Sequence, residues 1–423
     1  MFAAVTLSGL ISEFTTVHLA KVIEYTIAIG PIVLACFLAK IFWTLWMRFV
    51  RAEFYLSLKY AVLEVRLPKE QMKSPLAMEV FLNSIHNTSD GSKYVQLWKG
   101  ESRPYYSLEI VSIEGRVKFY IWCEDRRKQG VMNGLYSQFP GIEVHDVEDY
   151  TRGTHYDPKT MKMWAAEFKF LKPDPYPIKT YVDYGMDKDP KEELKVDPMA
   201  PLIEFLGSVG PNQQVWIQIP VVAHKKKRKP GHLFLQTDMY EDEAKSIVNK
   251  IMIRDPKTKV SGERDEVTGF TKLPSISKGE QEIVEAIERA QSKHLFDCGI
   301  RALYIAKKEF FNTPFGIGGC IGSMKQFSSG SLNGFKPRNK WHVKFNGHPW
   351  EDFRNMRRDY YSRDALAAYK RRSFFFPPFE SEPIVMNTEE IATIYHFPGT
   401  VSMTPTLERV PSKKGQAPVN LPL

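Results

Sequence analysis

Cysteine is scarce in this chain and is never closely paired. Four cysteines stand among 423 residues, and no two of them form a C-x-x-C motif. Disulfide scaffolds and structural zinc sites both depend on closely spaced cysteines. The composition therefore excludes these two classes of small protein. It predicts that Cys36, Cys123, Cys298 and Cys320 are reduced core residues of a cytosolic portion.

Catalytic signatures are missing as well. The sequence has no G-x-S-x-G, no H-E-x-x-H, and its ten histidines are dispersed. The glycine-rich stretch FGIGGCIGSMK is not a Walker loop, because Ser323 rather than lysine follows Gly322. It also fails G-x-G-x-x-G, because Ile321 replaces the third glycine. A helix pressed closely against a sheet explains these small residues better. We predict a non-enzyme with no catalytic residue, no metal site and no cofactor.

One long apolar run stands near the N-terminus. Tyr25–Met47 contains 23 residues and a single charge, Lys40, which is long enough to span a bilayer. Lys40 lies near one end and can extend to the headgroups. Trp43 and Trp46 are typical of the membrane interface, and Pro31 is tolerated in a membrane helix. The run predicts a transmembrane helix within 21–50; a buried soluble helix is the alternative.

The charges around this run predict its orientation. Arg48 and Arg51 follow the run, whereas Lys21 on the other side is balanced by Glu13 and Glu24. Cytoplasmic flanks of membrane helices are enriched in Lys and Arg. We therefore expect a short extracytoplasmic N-terminus at 1–20, a single-pass anchor, and the bulk of the chain in the cytoplasm.

The rest of the sequence predicts an α+β fold. Residues 54–152 alternate as β-α-β-β-α-β, with a helix that begins at Ser74-Pro75, and this order is typical of a ferredoxin-like unit. Residues 160–345 repeat the order and carry a helical insertion at 239–296. The fourth strand of the second unit is expected near Trp341–Phe345. The fold is thus a transmembrane helix followed by two ferredoxin-like units.

Two segments carry clustered positive charge. The first is a basic run in a loop after a strand, which either grips phosphates of DNA or lipid headgroups or is a solvated loop tip. Its residues are Lys225, Lys226, Lys227, Arg228 and Lys229. The second lies in an extended segment that wraps the surface, where arginines interleave with aromatic residues. It is compatible with single-stranded nucleic acid or with a protein interface. Its residues are Arg354, Arg357, Arg358, Arg363, Arg371, Arg372, Tyr360, Tyr361 and Phe374.

A short helix is predicted from NTEEIATIYHFPGT, at the end of the same C-terminal region of 346–423. Asn387 or Thr388 caps it, and Pro398-Gly399 ends it after about two turns. So short a helix needs a surface to pack on. A tail rich in proline and lysine follows. The residues expected to dock are Thr388, Glu389, Ile391, Ile394, Tyr395 and Phe397.

Several longer phrases carry a resemblance. They are FYIWCEDRRKQGVMNGLYSQFPGIEVHDVEDY, PIKTYVDYGMDKDPKEELKVDPMAPLIEFLGS, YIAKKEFFNTPFGIGGCIGSMKQF with LNGFKP, and NTEEIATIYHFPG. Together they resemble an uncharacterised membrane-anchored family of candidate-phyla bacteria. Its members are similar to the N-terminal region attached to, or encoded beside, ATPases of type IV secretion and conjugative DNA transfer. The resemblance covers about Phe54 to Pro398.

The resemblance implies a function. In relatives that carry the ATPase, the segment similar to TEEIATIYHFPG leads toward the nucleotide-binding domain, which this sequence lacks. We expect a non-catalytic subunit of a type IV secretion-like DNA or protein transfer machine, in a bacterial cell membrane. It would tether a separately encoded ATPase, with Asn387–Pro398 docking on that ATPase or on the chain's own core. The alternative is a membrane-anchored nucleic-acid-binding protein without a motor. DNA and a second copy of the chain remain open as further partners.

Overall fold

The protein is an α+β molecule with one long N-terminal helix and one large antiparallel sheet, seen in a computed structural model. The structure describes residues 7–68, 73–187, 196–225, 227–228, 236–252, 277–338, 340–341, 350–399 and 409–410. The helices are α1 (Leu7–Ser57), α2 (Pro75–Ile85), α3 (Lys128–Gln138), α4 (Ala200–Gly207), α5 (Met239–Ile251), α6 (Lys278–Gln291), α7 (Gly318–Met324), α8 (Met356–Lys370) and α9 (Thr388–Ile394). The strands are β1 (Tyr60–Pro68), β2 (Tyr105–Ile113), β3 (Arg116–Glu124), β4 (Glu143–Val147), β5 (Met161–Phe170), β6 (Gln213–Ala223), β7 (Lys227–Arg228), β8 (Gln236–Thr237), β9 (Leu295–Cys298), β10 (Arg301–Lys307), β11 (Phe335–Arg338), β12 (Ile384–Asn387) and β13 (Arg409–Val410).

Eight of these strands run side by side through the main sheet. Their order is β11-β5-β10-β6-β2-β3-β1-β4, and the neighbours are antiparallel. Strand β9 also pairs with β6, and β12 pairs with β9. The short β13 pairs in parallel with β1, and β7 pairs with β8. The C-terminal region therefore contributes to the sheet through β12.

The two halves of the main sheet follow the same strand order. The first half runs β4-β1-β3-β2, and the second runs β11-β5-β10-β6. In each half, the strand that comes first in sequence lies between the fourth and the third. The halves meet where β2 pairs with β6, from Tyr105↔Val222 to Ile113↔Gln214. Helices α5 and α6 are inserted between β6 and β10, as the sequence predicted, and β9 follows them.

The fourth strand of the second half lies earlier than expected. It is β11, which pairs Phe335 with Phe170 and Arg338 with Glu167. Trp341 lies in a turn, and residues 342–345 lie outside the described residues. Strand β11 contains Pro337, which cannot donate a backbone hydrogen bond and is tolerated at the edge of a sheet. Its sequence FKPR has no clear apolar alternation, so the pattern did not indicate a strand.

The two faces of the sheet differ in chemistry. Side chains alternate along each strand, and on one face Leu108, Phe119 and Ile217 are buried in an apolar core with α2, α3, α4, α7 and α9. On the other face, buried Glu109 and Arg301 bond to groups in and just after α8. The first face is an ordinary apolar core, whereas the second is built around ion pairs.

The glycine-rich stretch packs as the sequence predicted. A Cβ atom on Gly316 would lie 2.2 Å from the ring of Tyr304, and one on Gly319 would lie 2.0 Å from the ring of Phe205. Both distances are far below van der Waals contact. Glycine is therefore required here by close packing of α7 and the turn before it against β10 and α4.

The Arg and aromatic segment was predicted to be extended, and this was wrong. Residues Met356–Lys370 form α8, whose C-terminal half buries Ala365, Leu366, Ala368 and Tyr369. The stretch DALAAYK consists mainly of good helix formers. The density of arginine and aromatic residues before it concealed that signal.

Helix α1 and residues Asp90–Ser102 form a compact unit of their own. Within α1, Ile27–Ser57 is long and apolar enough to span a membrane, with a mean hydropathy of 2.0 in its most apolar window. Its side chains are exposed from Ile27 to Leu45, apart from the half-buried Gly30. Cys36 is among them, so the prediction that all four cysteines are core residues was wrong for this one.

Candidate functional site

The predicted anchor residues lie along α1. Pro31, Lys40, Trp43, Trp46, Arg48 and Arg51 all belong to this helix, and so does the backbone of Tyr25. Trp43 is 49% exposed, and the Trp46 ring stacks on Phe42 at a centroid distance of 6.3 Å. These residues share one helix whose described side chains are mostly exposed, so they suit contact with a surrounding phase such as lipid.

The basic run falls partly outside the described residues. Lys227 and Arg228 form β7, Lys225 is half-buried, and Lys226 and Lys229 lie outside. Next to the run, His224 Nδ1 lies 2.6 Å from Asp297 Oδ1, and its Nε2 lies 3.4 Å from Asp238 Oδ1. Burial disfavours the imidazolium, but the two carboxylates outweigh burial and raise the pKa of His224. The base of this loop is thus held by the contacts of His224 with two carboxylates.

The predicted docking helix lies inside the protein. All seven residues of α9 are buried, and Tyr395 and Phe397 beyond it are no more than 1% exposed. The rings of Tyr395 and Phe397 pack against the ring of Phe119 on β3, with distances between ring centres of 5.8 and 5.5 Å. Of the two surfaces considered for this segment, the chain's own core is the one it occupies. The six docking residues therefore present no surface to a partner.

The carboxylates of α9 are held by specific partners despite their burial. Glu390 accepts backbone N–H groups from Asn387 at 2.9 Å and from Ile178 at 3.0 Å. Glu389 accepts from the Thr180 hydroxyl at 2.5 Å and pairs with Lys293 at 3.0 Å. Burial raises the pKa of Glu390 to about 8, against the effect of its two N–H donors. The helix is therefore fixed by polar contacts as well as by apolar packing.

A second buried network ties the segment after α8 to the polar face of the sheet. The Arg372 guanidinium donates to both carboxylate oxygens of Glu109, at 3.0 and 3.1 Å. It also pairs with Asp149. Gln218 and Tyr150 donate to Glu109 at 3.0 and 2.8 Å. Since the guanidinium bridges both carboxylates and neutral donors complete the hydrogen bonds of Glu109, this network acts as a structural joint that fixes the end of α8.

A second buried ion pair supports the same joint. Arg301 donates to Glu167 at 3.1 Å and to the backbone carbonyl of Ala368 at 3.3 Å, and it is completely buried. Its guanidinium lies 4.8 Å from the ring centre of Phe374. Helix α8 is thus anchored at its C-terminal end by two arginines.

The segment that leads into α8 and the first turns of α8, in contrast, expose large apolar side chains. These side chains stand three or four residues apart in the sequence, and we call this set the α8 surface. It consists of Trp350 (79% exposed), Phe353 (63%), Met356 (65%) and Tyr360 (66%). The guanidinium of Arg354 lies 5.1 Å from the ring of Phe353, and Arg358 pairs with Asp352 at 3.6 Å. Exposed aromatic residues and methionine beside arginine are the composition that protein interfaces favour.

Backbone geometry also distinguishes the α8 surface. Arg354 and Asn355, two successive residues other than glycine, adopt positive φ values of 52° and 60°. Such conformations cost about 1–3 kcal/mol each and concentrate at functional sites. The sequence pattern indicated the arginines and Tyr360 but not Trp350, Phe353 and Met356. The three-and-four spacing of these side chains was the available signal.

An open groove of about 650 Å³ lies between α2 and α3. Arg126 and Arg127 line it, but both pair with the same carboxylate oxygen of Glu124, at 2.5 and 3.3 Å. Burial lowers the pKa of His86, which also lines the groove, so this imidazole is neutral at pH 7. Both guanidinium groups are thus already paired within the protein, and we do not place the function here.

A comparison with protein families identifies the larger part of the chain. A family model described as a domain of unknown function (DUF8128) matches residues 55–332, more than half of the sequence. The chain belongs to this family. The DUF8128 region begins in the last turn of α1 and extends past α7, whereas α8 and α9 follow it. No curated protein matches the chain. The family description carries no statement on secretion or conjugation, so that relationship remains a prediction.

Proposed function

We propose that this protein is a non-catalytic, single-pass membrane subunit that holds a protein partner at the cytoplasmic face. The observation that carries the proposal is the α8 surface: four large apolar side chains, each more than 60% exposed, beside arginines. Exposed aromatic residues and methionine are enriched at protein interfaces, where arginine is also common. Helix α8, which carries Met356 and Tyr360, is held at its C-terminal end by two buried arginines, so these two side chains are presented by a fixed element.

The resemblance suggests the partner. It supports an ATPase of the type IV secretion or conjugative DNA-transfer class, in a bacterial cell membrane. The segment first expected to dock on that ATPase, Asn387–Pro398, belongs to the protein's own core. The α8 surface takes its place as the expected contact, and α1 supplies the membrane anchor. The protein would tether and orient the motor of a DNA or protein transfer machine.

We also infer that the two halves of the sheet are two ferredoxin-like units joined edge to edge through β2 and β6. The shared order, with the first strand between the fourth and the third, supports this inference. So do the helices α2 and α3 in the first half and α4 and α7 in the second, which pack on the same face. Such an arrangement gives a broad, rigid platform from which α8 is presented.

Single-stranded nucleic acid is the competing ligand for the same surface. Tyr360 and Tyr361 have ring centres 5.8 Å apart, and arginines lie on the same helix. Bases stack on exposed aromatic rings, and arginine contacts phosphates. Such binding would weaken steeply with salt, whereas binding through an apolar protein interface would change less. The two ligands are therefore separable by experiment.

Site-specific photo-crosslinking in living cells tests the proposal. A benzophenone amino acid replaces Tyr360 in the full-length protein, and a matched control carries it at Tyr136, which is 43% exposed on α3. We expect a protein adduct from position 360 that contains an ATPase subunit, and none from position 136. A nucleic-acid adduct at 360 would favour the competing ligand. No adduct at 360, or the same adducts at both positions, would contradict the proposal.

A further inference from the structure

Residues Asp90–Ser102, which we call the collar segment, form a compact unit with α1. Gly100 has φ +69°, and a Cβ atom there would lie 2.4 Å from the Val50 carbonyl oxygen, so the segment's backbone is pressed against the helix. The Trp98 ring meets the Trp46 ring edge-on at 5.9 Å, and the Ser102 hydroxyl bonds to that of Tyr55. These contacts follow α1 from Trp46 toward its C-terminal end.

The collar segment exposes side chains of one particular kind. Tyr94 is 66% exposed and Trp98 is 60% exposed, and they are four residues apart in a helical stretch. Lys93 and Lys99 beside them are also exposed. Tyrosine and tryptophan concentrate at membrane interfaces, and lysine near the cytoplasmic surface attracts anionic lipids. Exposure of two large aromatic rings to water is unfavourable, whereas a membrane interface would cover them.

The position of Trp98 decides where these side chains lie. Trp46 stands at the end of the apolar run, where an interfacial tryptophan is expected. Since the two rings are in contact, Trp98 must lie at a depth close to that of Trp46. If α1 spans the bilayer, the collar segment therefore contacts the bilayer interface.

We propose that the collar segment is a second membrane-contacting element. Tyr94 and Trp98 enter the interface of the cytoplasmic leaflet, and Lys93 and Lys99 contact anionic phospholipid headgroups. The proposal rests on α1 spanning the membrane, as the proposed function requires. It adds that the chain contacts the bilayer through a surface outside the transmembrane helix, which limits tilt and rotation of α1.

Depth-dependent fluorescence quenching tests this contact. The full-length protein is labelled in detergent with a fluorescent maleimide. It is placed in phosphatidylcholine–phosphatidylglycerol vesicles that carry spin-labelled lipids, with the spin label shallow in one set and near the bilayer centre in the other. The test variants are Trp98→Cys and Tyr94→Cys, each with Cys36→Ser. Burial raises the pKa of the Cys123, Cys298 and Cys320 thiols, so these buried cysteines stay unlabelled. Native Cys36 reports on the span, and Tyr136→Cys with Cys36→Ser is the aqueous control.

We expect the labels at 94 and 98 to show blue-shifted emission, most of which the shallow spin-labelled lipids quench. The label at 136 should show neither the blue shift nor the quenching. The double change Lys93→Glu with Lys99→Glu should reduce the quenching at 98 in anionic vesicles. If Cys36 is quenched and neither 94 nor 98 is, the collar proposal fails and the anchor stands. If neither the shallow nor the deep spin-labelled lipids quench Cys36, α1 does not span, and both proposals fail. A blue shift at 98 without quenching would mean that protein rather than lipid covers the segment.

Discussion

Helices α8 and α9 lie close together in the sequence but have opposite surroundings. Every residue of α9 is buried, including Glu389 and Glu390. The N-terminal part of α8 exposes Met356 and Tyr360 by about two-thirds, and Phe353 just before it is equally exposed. The helix expected to bind a partner completes the core, and the segment expected to be extended presents the surface.

This contrast shows that charge is a poor guide to exposure. In α9, each buried carboxylate has donors placed for it, so two glutamates can lie in the core at a tolerable cost. In α8, the arginines sit beside apolar groups that have no comparable burial. The two helices differ in how many polar partners they receive from strands and loops that are distant in sequence. A local sequence pattern does not indicate those partners. Three experiments test this contrast.

The largest expected effect is at the joint that follows α8. Arg372→Met leaves Glu109 buried without its bidentate partner, and losing one member of a buried ion pair costs about 3–5 kcal/mol. We therefore expect a marked fall in the thermal unfolding midpoint, followed by circular dichroism in detergent. Arg371→Met is the matched control, because Arg371 is next to Arg372 in the sequence but is exposed. It should change stability little.

A double variant distinguishes the lost charge from lost packing. If Arg372→Met destabilises through the stranded carboxylate, then adding Glu109→Gln should restore part of the lost stability. Equal midpoints for the single and double variants would attribute the loss to packing. Normal stability of Arg372→Met alone would mean that the joint does not hold α8 in place.

A second effect, of intermediate size, concerns pH and compares two capping boxes. Asn387–Glu390 in α9 is buried, whereas Ser277–Glu280 in α6 is exposed. Burial raises the pKa of Glu390 to about 8 from an ordinary 4.5, so the folded state binds a proton more tightly than the unfolded state. This contribution to stability is full below pH 4.5 and is lost as pH rises through 8. The slope reaches about 1.4 kcal/mol per pH unit between those values.

The substitution Glu390→Gln should flatten this decline between pH 5 and 8. The backbone N–H of Ser277 lowers the pKa of exposed Glu280, so its contribution is lost as pH falls and has the opposite sign. Glu280→Gln should therefore leave the decline between pH 5 and 8 unchanged. Denaturant midpoints measured across this range give both slopes. If Glu390→Gln and the parent protein show parallel curves, the two backbone donors keep Glu390 ionised and the pKa argument is wrong.

Much of the fold was predictable because its signals are local. The apolar run of α1, the β-α-β-β-α-β order of residues 54–152, and the Ser74-Pro75 start of α2 each depend on neighbours in sequence. The helical insertion before β10 was predicted for the same reason. Strand β11 was not, because FKPR is short and pairs at an edge through backbone groups.

The candidate site was harder to predict because its determinants are distant. Arg372 is buried because Glu109 and Asp149 pair with it. Both carboxylates belong to parts of the chain more than 200 residues earlier. The sequence pattern contains no information on those partners, so Arg372 was predicted to belong to the same surface-wrapping segment as the other arginines. Exposure of Phe353 and Met356 likewise depends on what the rest of the fold leaves uncovered. Periodicity predicts a helix face, but only the assembled fold determines whether that face is covered.

The smallest expected effect on stability comes from the α8 surface itself. The double change Phe353→Ser with Tyr360→Ser removes apolar area that is already about two-thirds exposed, so stability should change by no more than about 0.5 kcal/mol. Tyr369→Ala, on the buried face of the same helix, is the contrasting variant. Tyr369 is completely buried and shares a 2.9 Å hydrogen bond with Tyr150, so its loss should lower the midpoint clearly. A double variant that unfolds as easily as Tyr369→Ala would show that these side chains belong to the core. A stable double variant that loses the partner adduct formed from a benzophenone at Met356 would separate binding from folding on one helix.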